Sequence, residues 1–96
     1  MQVWKFSIKI GDCNEIKMPM GAKILHVGMQ DDQVCLWALV EPTNENINRR
    51  IGIIGTGHSI SEKESKNYIG TVANHMDQFV WHLFDLGEVK CDGGKL

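Results

Sequence analysis

The chain has 96 residues, a hydrophobic content of 43% and a formal net charge of −2, which fit one small globular domain. A pI near 6.0 provides no global basic field and argues against binding to bulk nucleic acid, whose usual footprint is a domain pI above about 9. No apolar stretch approaches the ~20 residues of a membrane-spanning helix, so no membrane association is expected.

Trp4, Phe6, Ile8 and Ile10 alternate with Lys5, Ser7 and Lys9, the period-two pattern of a half-buried strand. Gly11-Asp12-Cys13-Asn14 reads as a turn, and Glu15 to Met18 as a short second strand. Met18-Pro19-Met20-Gly21 interrupts the chain, and residues 22 to 30 follow as a third strand with Ile24, Leu25 and Val27 apolar. Asp31-Asp32 joins this strand to Gln33–Val40 as a hairpin. Val34 to Val40 is apolar on both faces. That pattern predicts a central strand, with the core on one side and a neighbouring subunit or a helix on the other. A short buried helix is the competing reading, disfavoured by the hairpin signal in front of it. The doubly apolar strand also predicts a homo-oligomer, most simply a two-fold dimer.

Glu41 to Asn48 holds Pro42, Thr43 and three asparagines and reads as a loop. Arg49 to Gly55 is the next strand. Residues 61 to 66 are charged, with room for one helical turn. Tyr68–Asn74 and Gln78–Leu86 form a last pair of strands around His75-Met76-Asp77. The chain thus divides into a β-rich domain over residues 1–86 and a flexible tail over 87–96. About seven short strands at close spacing predict an all-β fold, a small antiparallel sandwich or an open barrel. Its core is expected to contain Trp4, Phe6, Ile8, Ile24, Leu36, Ala38, Ile53, Val72, Val80 and Leu83.

Cys13, Cys35 and Cys91 are widely spaced and odd in number. Together with a first segment lacking the apolar run of a secretory signal, they suggest reduced thiols and a cytoplasmic location. Cys35, inside an apolar run, reads as a small core residue. The four histidines, His26, His58, His75 and His82, show no metal-ligand spacing with one another or with cysteine. No metal and no cofactor is expected. His26 and His82 read as strand histidines. No serine, cysteine or threonine stands in a nucleophile motif, so no catalytic residues and no enzymatic activity are expected.

One segment stands out. Arg49-Arg50-Ile51-Gly52-Ile53-Ile54-Gly55-Thr56-Gly57-His58 is a strand delivering two glycines, a hydroxyl and an imidazole to a turn. Such a turn can present backbone N–H groups to an anion. Arg49 and Arg50 should point to opposite faces, one solvated and the other free to fork onto a phosphate or a carboxylate. The candidate ligand site is therefore Arg49, Arg50, Gly55, Thr56, Gly57 and His58, with Trp37 or Tyr68 available to stack a base. Each residue also has an ordinary structural role: a turn hydroxyl for Thr56, a carbonyl-bonding turn histidine for His58, an edge charge for an arginine. Core packing is the default for at least two of the tryptophans Trp4, Trp37 and Trp81.

Trp4-Lys5-Phe6, Met18-Pro19-Met20-Gly21-Ala22, Cys35 to Val40, the block Arg49 to His58, and Val80 to Phe84 together resemble the motifs of a family of small uncharacterised bacteriophage and prophage proteins. The resemblance covers roughly residues 3 to 86. Members carry Gly-Thr-Gly-His-Pro, where this chain has Ser59 after His58, a difference that relaxes the loop. The resemblance implies a host-cytoplasmic, non-catalytic counter-defence protein, by analogy of context. It would sequester a phosphorylated or nucleotide-like host signalling ligand, or alternatively inhibit a host defence enzyme or nuclease complex by docking on it.

Overall fold

The computed structural model describes residues 1–10, 14–74, 76 and 78–89. The turn expected at Gly11 to Cys13, residues His75 and Asp77, and positions 90–96 of the expected tail, including Cys91, lie outside the described residues.

Seven strands follow one another among the described residues: β1 (Gln2–Ile8), β2 (Asn14–Pro19), β3 (Lys23–Gln30), β4 (Gln33–Val40), β5 (Asn46–Gly55), β6 (Tyr68–Ala73) and β7 (Val80–Val89). They form two sheets. Sheet A has the order β1-β4-β3 and sheet B the order β2-β5-β7-β6, and all neighbours are antiparallel. The sheets pack on each other as an open sandwich and do not close into a barrel. No helix among the described residues is long and apolar enough to cross a membrane.

The β3–β4 hairpin turns on Asp31 and Asp32, with φ of 52° and 62°. Positive φ at both central residues is the signature of the tight hairpin turn whose twist matches its strands. Aspartate tolerates that region because its short polar side chain bonds locally. β4 then lies between β1 and β3, as its apolar sequence predicts. Val34, Leu36, Ala38 and Val40 are buried against sheet B, where they join Ile8, Met18, Val27, Ile51, Val72 and Leu83. The opposite face of β4 is partly covered within the chain itself. Lys5 reaches from β1 across to β3, where its Nζ donates to Gln30 Oε1 at 2.5 Å. Cys35, on β4 between those two strands, is buried.

Several expectations need correction. Trp4 is 36% exposed and outside the core, although it alternates correctly with Phe6 and Ile8. β1 is an edge strand that meets sheet B only lightly, through β2, whereas β3 at the other edge packs firmly on β6. Phe6, Ile24 and Ile53 pack around the core rather than inside it, and Val80 is half-buried. Met18, Ala22, Val27, Val40 and Ile51 are buried in their place. Of the tryptophans, only Trp81 packs against the core. Asn46 to Asn48, expected as loop, belong to β5, because they pair with Pro19, Met18 and Lys17 of β2. Pairing with a neighbour overrides the low strand preference of asparagine. β7 runs to Val89, beyond the expected end at Leu86, because Gly87, Glu88 and Val89 pair with Arg50, Arg49 and Asn48 past a bulge.

β5 and β6 flank β7 on either side and so run parallel to each other. Their connection, residues 56–67, must return along the length of sheet B. It includes one 3-10 turn, Glu64–Lys66, where Ser61 Oγ accepts from Glu64 N–H at 3.2 Å. This return places the two ends of β5 in different surroundings.

Candidate functional site

Alternation along β5 sends Arg49 inward and Arg50 outward. Arg49 Nε and Nη2 donate to the two oxygens of Asp85 on β7, at 2.9 and 2.7 Å, and Nη1 donates to the carbonyl of Ala22 at 2.8 Å. Glu88 lies 3.8 Å from Nη1. The Arg49 and Asp85 side chains are only 11% and 18% exposed. The hydrogen bonds to Asp85 raise the Arg49 pKa, against the effect of burial. Burial alone would push the Asp85 carboxyl up. The hydrogen bonds from Arg49 and from Gly87 N–H, with the arginine charge, outweigh it and hold the carboxyl below its ordinary value. Arg49 thus forks onto a carboxylate of its own chain, and its guanidinium is held inside the fold instead of being aimed at a ligand phosphate. Arg50 is 48% exposed, with Nε 3.7 Å from Glu15. It lines a polar cleft of about 430 Å³ with Ser61, Lys63, Glu64, Asn67, Asp85 and Leu86.

At the far end of β5 the chain turns on Gly55-Thr56-Gly57-His58. His58 N–H donates to Gly55 C=O at 3.0 Å, and Thr56 N–H to Val80 C=O at 3.3 Å. Gly57 adopts φ +89°, a left-handed conformation that glycine reaches without steric cost. The His58 ring lies over Gly55, where a Cβ would sit 3.6 Å from it. Thr56 Oγ1 and His82 Nε2 are 2.7 Å apart. His82 Nδ1 is 3.0 Å from Thr71 Oγ1, which is 2.5 Å from the Tyr68 hydroxyl. A chain of four side chains, Thr56–His82–Thr71–Tyr68, therefore crosses three segments of sheet B. The Tyr68 ring stands edge-on to Phe84 at 5.7 Å.

Next to Thr56 opens a mainly apolar cleft of about 410 Å³, lined by Gly55, Thr56, His58, Gln78, Phe79, Val80 and Trp81. Phe79 is 59% exposed and stacks on Trp81 with ring centroids 5.9 Å apart and planes 21° apart. Asn74 Oδ1 accepts from the N–H groups of Gln78 and Phe79, at 2.7 and 3.2 Å. Those bonds tie the backbone at Gln78 and Phe79 to Asn74. The cleft offers a flat aromatic face with a hydroxyl, an imidazole and an amide at its rim, a combination suited to a planar heterocycle.

Of the expected site residues, Gly55, Thr56, Gly57 and His58 stay together, and Tyr68 joins them through His82 and Thr71. Arg49 and Arg50 do not reach them: roughly 17 Å of extended strand separates Arg50 from Gly55. Trp37 lies on the other sheet, against His26 at 5.6 Å. The residues that sequence reasoning missed are His82, Thr71, Phe79 and Trp81. His82 pairs with Ile54 on one side and Thr71 on the other, a register legible only once β7 is placed between β5 and β6. Thr56 and His82 have the proximity of a hydroxyl and a base. The far nitrogen of His82 meets a hydroxyl, however, and His82 forms no ion pair with a carboxylate among the described residues. The geometry is that of an imidazole held between two hydroxyls, and it positions Thr56.

No curated protein and no solved structure matches the chain significantly. Residues 1–91 match the profile of the domain of unknown function DUF7352, and the chain belongs to that family.

Proposed function

We propose that this domain is a non-catalytic binding protein that captures a nucleotide-like small molecule at the cleft between the Gly55–His58 turn and Phe79. The observation that carries the reading is the exposed Phe79 ring, stacked on Trp81 and held beside Thr56 and His58. A base would stack on Phe79, and its edge would bond Thr56, His58 or Gln78. Phosphate oxygens would be met by Arg50 and Lys63 in the second cleft. That division favours a long ligand, of dinucleotide size, over a mononucleotide. The resemblance to phage proteins supplies the biological reading: the domain removes a phosphorylated signalling ligand of the host cytoplasm and so blunts a defence response.

A thermal-shift panel of mononucleotides and cyclic dinucleotides tests this. A ligand at about 100 times its Kd stabilises the folded state by about 2.7 kcal/mol, or roughly 10–20 °C in a domain of this size. Phe79→Ala should weaken binding by at least about fivefold, the lower end for one base stacked on an aromatic ring. The absence of a shift across the panel, or a shift unchanged in Phe79→Ala, overturns the reading.

A further inference from the structure

The outward face of sheet A differs in character from the rest of the molecule. All 12 acidic residues of the chain lie outside β1, β3 and β4, whose charges are Lys5 and Lys23 alone, apart from His26. The register places Val3 and Lys23 beside Leu39, and Lys5 and His26 beside Trp37. These are the β4 positions turned away from the core. The centre of this face is apolar. Val3 is 56% and Leu25 48% exposed, and Trp37 and Leu39 are half-buried. The His26 and Trp37 rings lie over Gly28, at ordinary contact distance from its Cα substituent position.

We propose that this face docks a protein partner with an apolar centre and carboxylates at its rim. The partner's apolar side chains would cover Trp37, Leu39, Val3 and Leu25, and its acids would pair with Lys5 and Lys23. A tryptophan ringed by apolar neighbours and polar rim groups is the usual make-up of an interface anchor. The charge pattern decides the type of occupant. A second copy laid face to face would bring strand lysines against strand lysines, and β1, β3 and β4 carry no carboxylate to pair with them; the acids next to this sheet, Asp31, Asp32 and Glu41, sit in the turn and past the strand end. Single-stranded nucleic acid would find only two lysines along three strands, too few to follow a phosphate backbone. An acidic surface meets both the charge and the apolar centre, and like-signed competitors are rejected. This surface is separate from the Phe79 cleft, so either proposal stands without the other.

The test is an NMR titration of the whole, isotopically labelled chain with a nine-residue peptide of leucine and phenylalanine flanked by glutamates. The same peptide with lysine flanks and a ten-nucleotide single-stranded DNA serve as competing probes. The expected result is saturable shifts confined to β1, β3 and β4 for the acidic peptide. Lys5→Glu with Lys23→Glu should weaken that binding by at least about tenfold, with the circular dichroism spectrum retained. If the loss of the Lys5–Gln30 bond unfolds the double variant, Lys23→Glu alone carries the test and should weaken binding by about threefold or more. Equal binding of the lysine-flanked peptide, tighter binding of the DNA, or shifts confined to sheet B overturns the proposal. So does sedimentation showing a dimer that the acidic peptide cannot dissociate.

Discussion

The two ends of β5 hold the polar residues that a reader of the sequence notices first, and they solve opposite problems. At the Arg49 end a charge enters the fold and must be neutralised there, by Asp85, Glu88 and the Ala22 carbonyl. At the Gly55 end the groups are a hydroxyl, an imidazole and a ring, arranged near the surface in a network that carries no ion pair among the described residues. A charge largely removed from water is tied to its partner because leaving it unpaired is costly. Polar groups near the surface of a turn can exchange one hydrogen bond for another at small cost. The first arrangement therefore serves stability, and the second is free to serve binding.

The sharpest way to break this contrast is Arg49→Ala. It leaves the part-buried Asp85 without its partner and should destabilise by about 1.5–3 kcal/mol, the range for hydrogen bonds to a charged group. Replacing both partners, Arg49→Met with Asp85→Leu, should recover most of that loss, because an apolar pair of similar volume leaves no orphaned charge. Denaturant melts of the three proteins give both numbers. If Arg49→Ala melts like the parent, the pair is not structural and the contrast fails.

Acid probes the same pair without mutation. The folded Asp85 carboxyl titrates below its ordinary value, so the unfolded chain binds its proton first as pH falls. The stability that Asp85 contributes is complete above the unfolded pKa of about 3.9 and is lost as pH drops through the lower, folded value. The melting-temperature gap between the parent and Arg49→Ala should therefore be wide at pH 7 and should narrow below about pH 4. A gap that stays constant down to pH 2 would contradict the assignment.

At the open end the expected effects are smaller. His82→Phe removes two hydrogen bonds from an exposed network and should cost about 1 kcal/mol, while reducing ligand affinity through a misplaced Thr56. A large loss of stability would show that the network is structural. Arg50→Ala comes last. Its exposed ion pair with Glu15 at 3.7 Å contributes at most about 1 kcal/mol, so its melt should fall far less than that of Arg49→Ala while binding of a phosphorylated ligand weakens. Two adjacent arginines with a large and a much smaller effect on folding would be the clearest statement of the contrast.

Much of this organisation was legible in the residues. Alternation at Phe6 and Ile8, the Asp31-Asp32 turn and the doubly apolar β4 led to the strands, the hairpin and the all-β fold, because side-chain period and turn chemistry are local properties. The expectation that Arg49 and Arg50 face opposite ways came from the same period. Which of them is sealed, and by what, required Asp85, thirty-six positions later along the chain. Sequence reading grouped the arginines with the Gly55–His58 turn because they are close in number, yet a strand carries neighbours in sequence steadily apart in space.

Local pattern by itself determined the strand-rich character of the chain, the orientation of alternate residues along β5 and the glycine turn at its end. Tertiary structure alone decided that β7 enters between β5 and β6, and strand order depends on long-range pairing that no local window contains. That single placement brings Asp85 to Arg49, and His82 to Thr56 and Thr71. It also decided which apolar residues count as core. Trp4 has the right period for burial but sits on an edge strand that the opposite sheet barely covers, and burial requires a second surface as well as a pattern.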